Sequence, residues 1–214
     1  MKSIDIATLT DVVRTNLDEI GVNESMMLEG SDDVMLYNIV ERIMGESADE
    51  VHMAAPAFIL DGRTPPDVRY LATGKVLKMV MRDMLRLVAF KAKDSDYVVS
   101  ETIPEASAEG RMQLDPYLQG TYDSPKMVLR QGLNEDTELE MRYYSLKEEQ
   151  KTGETSADKV DYLLAVPRQI GETSSVSISE NAIYVFYNLV TAKVLTILGE
   201  TEKAQIYYGK AKFE

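Results

Sequence analysis

The chain has 214 residues, of which 44% are hydrophobic and 28% charged, a composition typical of a globular protein with one good-sized domain or one domain carrying an insert. It contains no cysteine, which excludes disulfides, thiolate nucleophiles and cysteine-bound zinc; the single histidine, His52, would need carboxylates or a symmetric copy of itself to hold a metal. With 23 basic and 36 acidic side chains the net charge is −13, which disfavours a nucleic-acid reader because phosphates attract the opposite sign.

No apolar run approaches the roughly 18–20 residues of a membrane span, and residues 1–6 do not resemble a signal peptide. We therefore expect a soluble protein that is made in the cytoplasm. The acidic balance indicates either a surface adapted to solubility or a surface that lies near DNA without gripping it, and composition alone leaves both open.

The first part of the chain predicts two helices. The first covers residues 4–20 and ends at Gly21. Its apolar stripe at helical spacing consists of Ile6, Leu9, Val13, Leu17 and Ile20. The second helix begins at the capping residue Ser31, continues through Gly45 and ends before Pro56. Residues 61–66 are predicted to form a turn.

The middle of the chain predicts short strands. They cover residues 75–81, 85–91, 126–129, 139–146 and 160–166. Proline and glycine residues divide the segment between 104 and 125 into loop and strand fragments. The charged segment 147–159 is predicted to be an exposed hairpin tip.

The last part of the chain predicts two more helices. Ser177 and Glu180 have the spacing of a capping box, Gly199 is placed to end the first helix, and Thr201 is placed to cap the second. The first of these helices has two neighbouring apolar stripes, the second of which is Phe186, Val190, Lys193 and Ile197. A helix that is apolar on several sides is buried on several sides, either in its own core or against neighbouring subunits.

These elements predict an α+β fold, in which the N- and C-terminal helical pairs form a four-helix bundle with a β-rich insert between them. Neither pair can bury its apolar stripe alone, so the two pairs are expected to pack together. The predicted parts are residues 1–70 for the N-terminal half of the bundle, 71–170 for the insert and 171–214 for the closing helical pair.

Few residues are placed to carry chemistry. His52 has Glu46 and Asp49 nearby and could be an acid/base centre, but one histidine without a partner motif favours a structural position near a helix end. Asp94 and Asp96 loosely imitate a calcium loop, yet the glycine and glutamate that such a loop requires are missing. The acidic cluster at 134–136 is interpreted as a solvated turn. The sequence predicts no catalytic, cofactor-binding or metal-binding residue.

The motifs of common enzyme classes are absent from the sequence, including the phosphate-binding loop, the dinucleotide fingerprint and the nucleophile elbow. A glycosidase needs only two carboxylates, so a carboxylate-based glycoside hydrolase remains an alternative. The chain has no tryptophan, however, and sugar sites commonly use aromatic platforms. We predict that the protein is not an enzyme and uses no cofactor.

Aromatic side chains are concentrated in the last two predicted helices. Phe186 is assigned to the core. The candidates for an interface with another subunit are Tyr184, Tyr187, Tyr207, Tyr208 and Phe213. Tyrosine is enriched at protein contacts because its ring packs while its hydroxyl stays hydrogen-bonded.

Three segments carry a resemblance to a known family: residues 83–91 (DMLRLVAFK), 113–125 (QLDPYLQGTYDSP) and 198–208 (LGETEKAQIYY). Together with the helical ends and the β-rich middle, they resemble the adaptor or ring proteins of head-to-tail connectors in tailed bacteriophages, in particular podovirus-like phages such as the crAss-like group.

The resemblance implies a structural virion protein of the neck or tail region, made in the host cytoplasm. Connector proteins of this kind form a ring, usually of twelve copies, between the portal protein and further tail or ring proteins. DNA passes through the ring during ejection without being specifically bound, and no membrane is involved. The segment 199–214 and the aromatic candidates are then expected to contact the portal as well as a neighbouring copy.

A monomeric binding module is a further interpretation. Such a module would contact its partner through the 147–159 tip, whereas a connector should assemble with itself or join a portal ring. A glycoside hydrolase would instead require two carboxylates that converge in a pocket.

Overall fold

The computed structural model describes residues 1–19, 32–93, 95–131, 138–151, 157–169 and 174–213. Its strands are β1 (Lys2–Asp5), β2 (Val68–Thr73), β3 (Val76–Arg82), β4 (Met84–Ala92), β5 (Ile103–Pro104), β6 (Lys126–Gln131), β7 (Glu138–Tyr144), β8 (Val160–Pro167) and β9 (Ser175–Ile178). Its α-helices are α1 (Ile6–Glu19), α2 (Asp32–Ala54), α3 (Ala108–Met112), α4 (Ile183–Ile197) and α5 (Thr201–Lys210). The α+β chain divides into two compact units: residues 1–61 with 169–214, called the helical unit, and residues 62–168, called the sheet unit.

Helix α1 begins directly after a side-chain cap. The carboxylate of Asp5 accepts hydrogen bonds from the backbone N–H of Thr8 at 2.8 Å and from the Thr8 hydroxyl at 2.9 Å. These bonds, the backbone one first, lower the pKa of Asp5. The predicted stripe of α1 is confirmed, because all of its described members are buried: Ile6, Leu9, Val13 and Leu17.

Helix α4 is central to the helical unit, where it packs against α1, α2 and α5. Nine of its 15 residues are buried, and they include Phe186 and Val190 of the predicted second stripe. Lys193 of the same stripe reaches Glu50 of α2, with 2.7 Å between the ammonium and the carboxylate. The second stripe is therefore largely covered within the helical unit. No helix in the described ranges is long and apolar enough to cross a bilayer.

The predicted four-helix bundle of N- and C-terminal helical pairs around a β insert is wrong. The helical unit is not a bundle of two pairs, because it also contains the antiparallel pair of β1 and β9. Helix α5 packs mainly on α4, and the short helix α3 belongs to the sheet unit. The helices are thus distributed along the chain rather than collected in two terminal pairs.

The error has a physical source in the segment before α4. Ser177 lies in strand β9 and caps no helix; a short 3-10 helix follows at Glu180–Ala182 and α4 begins only at Ile183. Val176 and Ile178 are buried, while Ser175 and Ser177, which alternate with them, are only half-buried; this is the period of a strand. Thr201 is likewise the first residue of α5, whose cap position is Glu200.

The sheet unit contains two sheets. The larger has the strand order β2-β3-β7-β6-β5, with antiparallel neighbours except for the short parallel pair of β5 and β6. The smaller pairs β4 with β8 in antiparallel fashion. One face of the large sheet is buried together with side chains of β4 and β8, and the rings of Phe90 and Tyr143 meet there at 4.9 Å between centroids. The opposite face of the large sheet carries the charged residues described below.

Candidate functional site

The five aromatic side chains predicted to form an interface differ in exposure. Tyr184 lies in the first turn of α4 and is 65% exposed. Tyr207 is buried, and its hydroxyl donates a hydrogen bond to the carbonyl of Asn16 at 3.2 Å. The half-buried members pack against the core of the helical unit: Tyr187, Tyr208 and Phe213. Tyr184 is thus the member most available to a partner, and the role of the whole set as an interface stays a prediction.

His52 is buried at the end of α2 and takes part in a hydrogen-bond cluster that extends to the surface. Its Nε2 accepts the backbone N–H of Ser179 at 3.3 Å, and the Ser179 hydroxyl accepts the N–H of Asp61 at 2.9 Å. The Asp61 carboxylate accepts the N–H of Glu180 at 3.0 Å, which is the main reason that its pKa is lowered. These four residues, which we call the latch, tie the turn before α4 to the end of α2 and the segment after it.

The acidic residues considered as metal ligands do not come together in the described part of the chain. Within those ranges, no three histidine, aspartate or glutamate side chains lie close enough to hold a metal ion. Asp96 and Glu101 are exposed. Asp94 and the cluster at 134–136 lie outside the described residues.

A short segment after α3 presents apolar side chains to solvent. We call residues 112–118 the knob. Its exposed members are Met112 (48% exposed), Leu114 (59%), Tyr117 (95%) and Leu118 (53%). Four such side chains within seven residues form a concentrated apolar patch, in contrast to the singly exposed apolar residues found on most surfaces.

Hydrogen bonds from polar side chains fix the backbone of the knob. Gln113 is buried; its Oε1 accepts the N–H of Gly120 at 2.7 Å, and its Nε2 donates to the carbonyl of Glu109 at 3.3 Å. Asp115 accepts the N–H of Tyr117 with its carboxylate and that of Leu118 with its carbonyl. The usual arrangement is therefore reversed in the knob, with an amide inside and apolar side chains outside.

An open groove of about 610 Å³ also lies in the sheet unit. Tyr97 and Val98 line it, and both are exposed. Three carboxylates line it as well, from Glu101, Glu109 and Asp123. The ammonium of Lys126 lies 3.2 Å from the Glu109 carboxylate. The groove therefore combines apolar and charged groups, as a protein-binding surface does.

The outer face of the large sheet is rich in basic side chains. Cross-strand pairing arranges this face in rows, one of which is Arg69, Val80, Glu140 and Arg130. The next row is Leu71, Lys78, Arg142 and Val128. We call this surface the basic face, and its cations are Arg69, Lys78, Arg82, Lys126, Arg130 and Arg142.

Glu140 lies near the centre of the basic face and is shared by several cations. Its carboxylate is 2.8 Å from Lys78, 3.0 Å from Arg142 and 3.8 Å from Arg130. Glu105 adds a second bridge to the same two arginines, at 3.3 Å to Arg130 and 3.4 Å to Arg142. Burial alone would raise the pKa of Glu140, but the hydrogen bonds from Lys78 and Arg142 outweigh it and hold the pKa below its usual range.

Sequence reasoning singled out neither the knob nor the basic face. A signal for the knob is present, because four apolar residues lie in a stretch broken by glycine and proline, where a loop is expected to be polar. A signal for the basic face is the alternation of basic and apolar residues in β3, from Lys78 to Arg82.

Comparison with known proteins gives no match: the sequence matches no protein-family model and no curated protein, and the structure matches no solved structure. The resemblance to phage connector proteins rests on the three sequence segments named above, and one of them, residues 113–125, contains most of the knob.

Proposed function

We propose that the protein is a structural virion protein that assembles with copies of itself into a ring between the portal and the tail. The observation that carries this proposal is the knob, a hydrogen-bonded segment with four exposed apolar side chains. Concentrated apolar patches on an ordered surface mark contacts with other proteins. The position of the knob within the connector-like segment 113–125 also supports the proposal.

Burial of the knob supplies a driving force for this assembly. Removing one large apolar side chain from water contributes about 1.5–3 kcal/mol. Because Tyr117 is 95% exposed and Leu118 53% exposed, the two together contribute roughly 2–4.5 kcal/mol before the cost of association is subtracted. In a ring each copy offers one knob and receives one, which is the heterologous type of contact that closes after a fixed number of copies.

The distribution of charge supports a passage for DNA through the ring. The helical unit has 7 basic and 18 acidic side chains, a net charge of −11, whereas the sheet unit has 16 basic and 18 acidic side chains, a net charge of −2. An acidic lumen repels phosphates, so DNA moves through without being held. The specific partners in this proposal are the portal protein and other tail proteins.

The double variant Tyr117→Ser/Leu118→Ser tests the knob. We expect wild-type protein to form a discrete oligomer as its concentration rises, or to be captured by a portal ring, when mass is measured by light scattering. The double variant should stay monomeric over the same range, because it loses the apolar contact and keeps the backbone hydrogen bonds. The control Phe58→Ser removes an aromatic side chain that is 87% exposed on the helical unit and should assemble like wild type.

A monomeric binding module is the second candidate, and the open groove of about 610 Å³ is the observation that favours it. Light scattering separates the two candidates. Wild-type protein that stays monomeric at every concentration and ignores the portal ring would contradict the connector proposal and favour the module.

A further inference from the structure

The basic face carries more positive charge than its own carboxylates neutralise. Its six cations meet four glutamates, namely Glu105, Glu109, Glu138 and Glu140, so two positive charges stay unbalanced. Glu138, for example, is shared by Arg69 at 2.8 Å and Arg82 at 3.3 Å, and both arginine side chains are more than 60% exposed. In a chain of net charge −13, such a surface indicates an anionic partner.

Acidic side chains outnumber basic ones in residues 1–61 of the chain, 13 to 3. The exposed acidic residues that the structure describes there include Asp11, Asp18, Glu41 and Glu46. Helix α1 exposes Asp11 and Asp18, which are seven residues and thus about 10 Å apart on one side of the helix. Arg14 lies 3.1 Å from Asp11 and balances part of this charge, while Asp18 is exposed one turn further along. Lys78 and Arg82 are four residues apart on β3, which is about 13 Å along the strand. The long basic side chains can adjust over the remaining difference.

We propose that in the assembled ring the basic face of one copy binds the exposed acidic side of α1 in the next copy. This inference rests on the proposed function and adds a second, electrostatic contact to the apolar contact of the knob. Electrostatic complementarity of this kind fixes the register between two surfaces and speeds their encounter. It also explains why cations are concentrated on one sheet face of an acidic protein.

A nucleic acid is the less favoured occupant of the basic face. Sheets that bind single strands stack the bases on aromatic side chains. Among the described residues of this face the aromatic one is Tyr144, at the end of β7, and it is buried. The aliphatic neighbours in the rows that reach solvent, Leu71 and Val80, suit contact with a protein.

Charge reversal on each side tests the contact. We expect Arg69→Glu/Arg82→Glu to raise the apparent Kd of assembly at least about tenfold, and Asp11→Lys/Asp18→Lys to do the same, in sedimentation velocity at low salt. The control Lys93→Glu/Lys151→Glu changes the net charge by the same amount at exposed sites outside the basic face and should change the Kd less than about twofold. Circular dichroism checks that every variant is folded.

Mixing the two reversed variants gives the sharper result. Each variant alone brings like charges together at every contact. In an equimolar mixture the two variants can alternate around the ring. The acidic sheet face of one variant then meets the basic α1 of the other, and the unchanged basic face of the second meets the unchanged acidic α1 of the first. Every contact is therefore complementary again. We expect the mixture to recover assembly to within about threefold of the wild-type Kd.

The outcomes separate this inference from the proposed function. If wild type assembles while both reversed variants assemble equally well, the contact is overturned and the connector proposal stands. If wild type stays monomeric at every concentration, the connector proposal is overturned, and so is the proposed contact. If the reversed sheet variant assembles normally but loses binding to a DNA duplex that wild type retains at low salt, the basic face is a nucleic-acid surface and the contact is overturned.

Discussion

Gly110 lies in α3, close to the backbone of Pro104 and Glu105. A Cβ atom at this position would collide with the carbonyl oxygen of Pro104 and would lie 2.9 Å from Cα of Glu105. The backbone N–H of Gly110 donates to the hydroxyl of the N-cap residue Ser107 at 2.9 Å. The exposed side chains of the knob therefore depend on a residue that has no side chain.

Gly110→Ala is expected to destabilise the sheet unit by about 1–3 kcal/mol, because backbone atoms must move to admit the methyl group. Urea unfolding followed by circular dichroism measures the change. The control is Gly209→Ala on α5, where a Cβ would meet nothing within 4 Å. That variant should gain about 0.5–1 kcal/mol from helix propensity. Equal stability of the two variants would contradict the close approach seen at Gly110.

Among the elements, the latch joins α2 to α4 through one carboxylate in particular. The pKa of Asp61 is lowered below its ordinary value of 3.8, chiefly by the N–H of Glu180. A carboxylate whose pKa is lower in the folded state stabilises the fold above its ordinary pKa. That stabilisation is lost as the pH falls through the lowered value.

Asp61→Asn should therefore be less stable than wild type at pH 7, by less than about 1 kcal/mol because the side chain is partly exposed to screening solvent. The difference should shrink as the pH falls below the ordinary pKa of 3.8 and vanish once the pH has passed through the lowered pKa of Asp61. Urea unfolding at pH 7, 4 and 2.5 measures it. Glu180→Gln is the control. The backbone N–H of residue 180 still donates to Asp61 in this variant, so its free energy of unfolding should depend on pH as that of wild type does. A difference that grows toward low pH would contradict this assignment.

Elements with a long periodic pattern were predictable from the sequence, and short ones were not. The stripe of α1 and the strands β3, β4 and β8 follow from periodicity and lie where the pattern predicts them. Strands β1 and β9 have four residues each, too few for alternation to stand out from a helical pattern that begins at Ile4. Because the strand pair of β1 and β9 was not predicted, the helices were interpreted as two terminal helical pairs.

The candidate surfaces were harder to predict because they depend on register. Arg69, Lys78 and Arg142 come from three strands, and only the pairing of those strands places them on one face. The exposure of the knob likewise depends on the buried amide of Gln113, whose partner Gly120 is seven residues away. The sequence pattern of a single segment shows neither how strands pair nor which distant backbone group a buried amide binds.

At the scale of the whole molecule, the helical unit concentrates most of the negative charge, with a net value of −11. Like charges within one compact unit repel each other and destabilise it. Salt screens this repulsion, with a Debye length of about 10 Å at 0.1 M. Salt also weakens the ion pairs of the basic face, but exposed pairs contribute at most about 1 kcal/mol each.

We therefore expect the midpoint of thermal unfolding to rise by a few degrees, about 2–5 °C, between 20 mM and 300 mM NaCl. Circular dichroism at a concentration where the protein is monomeric measures it. Asp11→Asn/Asp18→Asn removes two of the repelling charges and should show a smaller rise. A midpoint that falls with salt would mean that the ion pairs of the basic face outweigh the repulsion in the helical unit.

The pairing of β1 with β9 joins Lys2 to Ile178, two residues that lie 176 positions apart in the chain. All of the residues of the sheet unit lie between them. During synthesis the sheet unit is therefore complete before β9 leaves the ribosome. Some 170 residues are added after β1 and α1 before the elements that pack against them, β9 and α4, are available. At about 5–20 residues per second this delay is roughly 10–35 s. The apolar stripe of α1 has no finished core during that time, so the nascent helical unit is the part of this protein most in need of a chaperone.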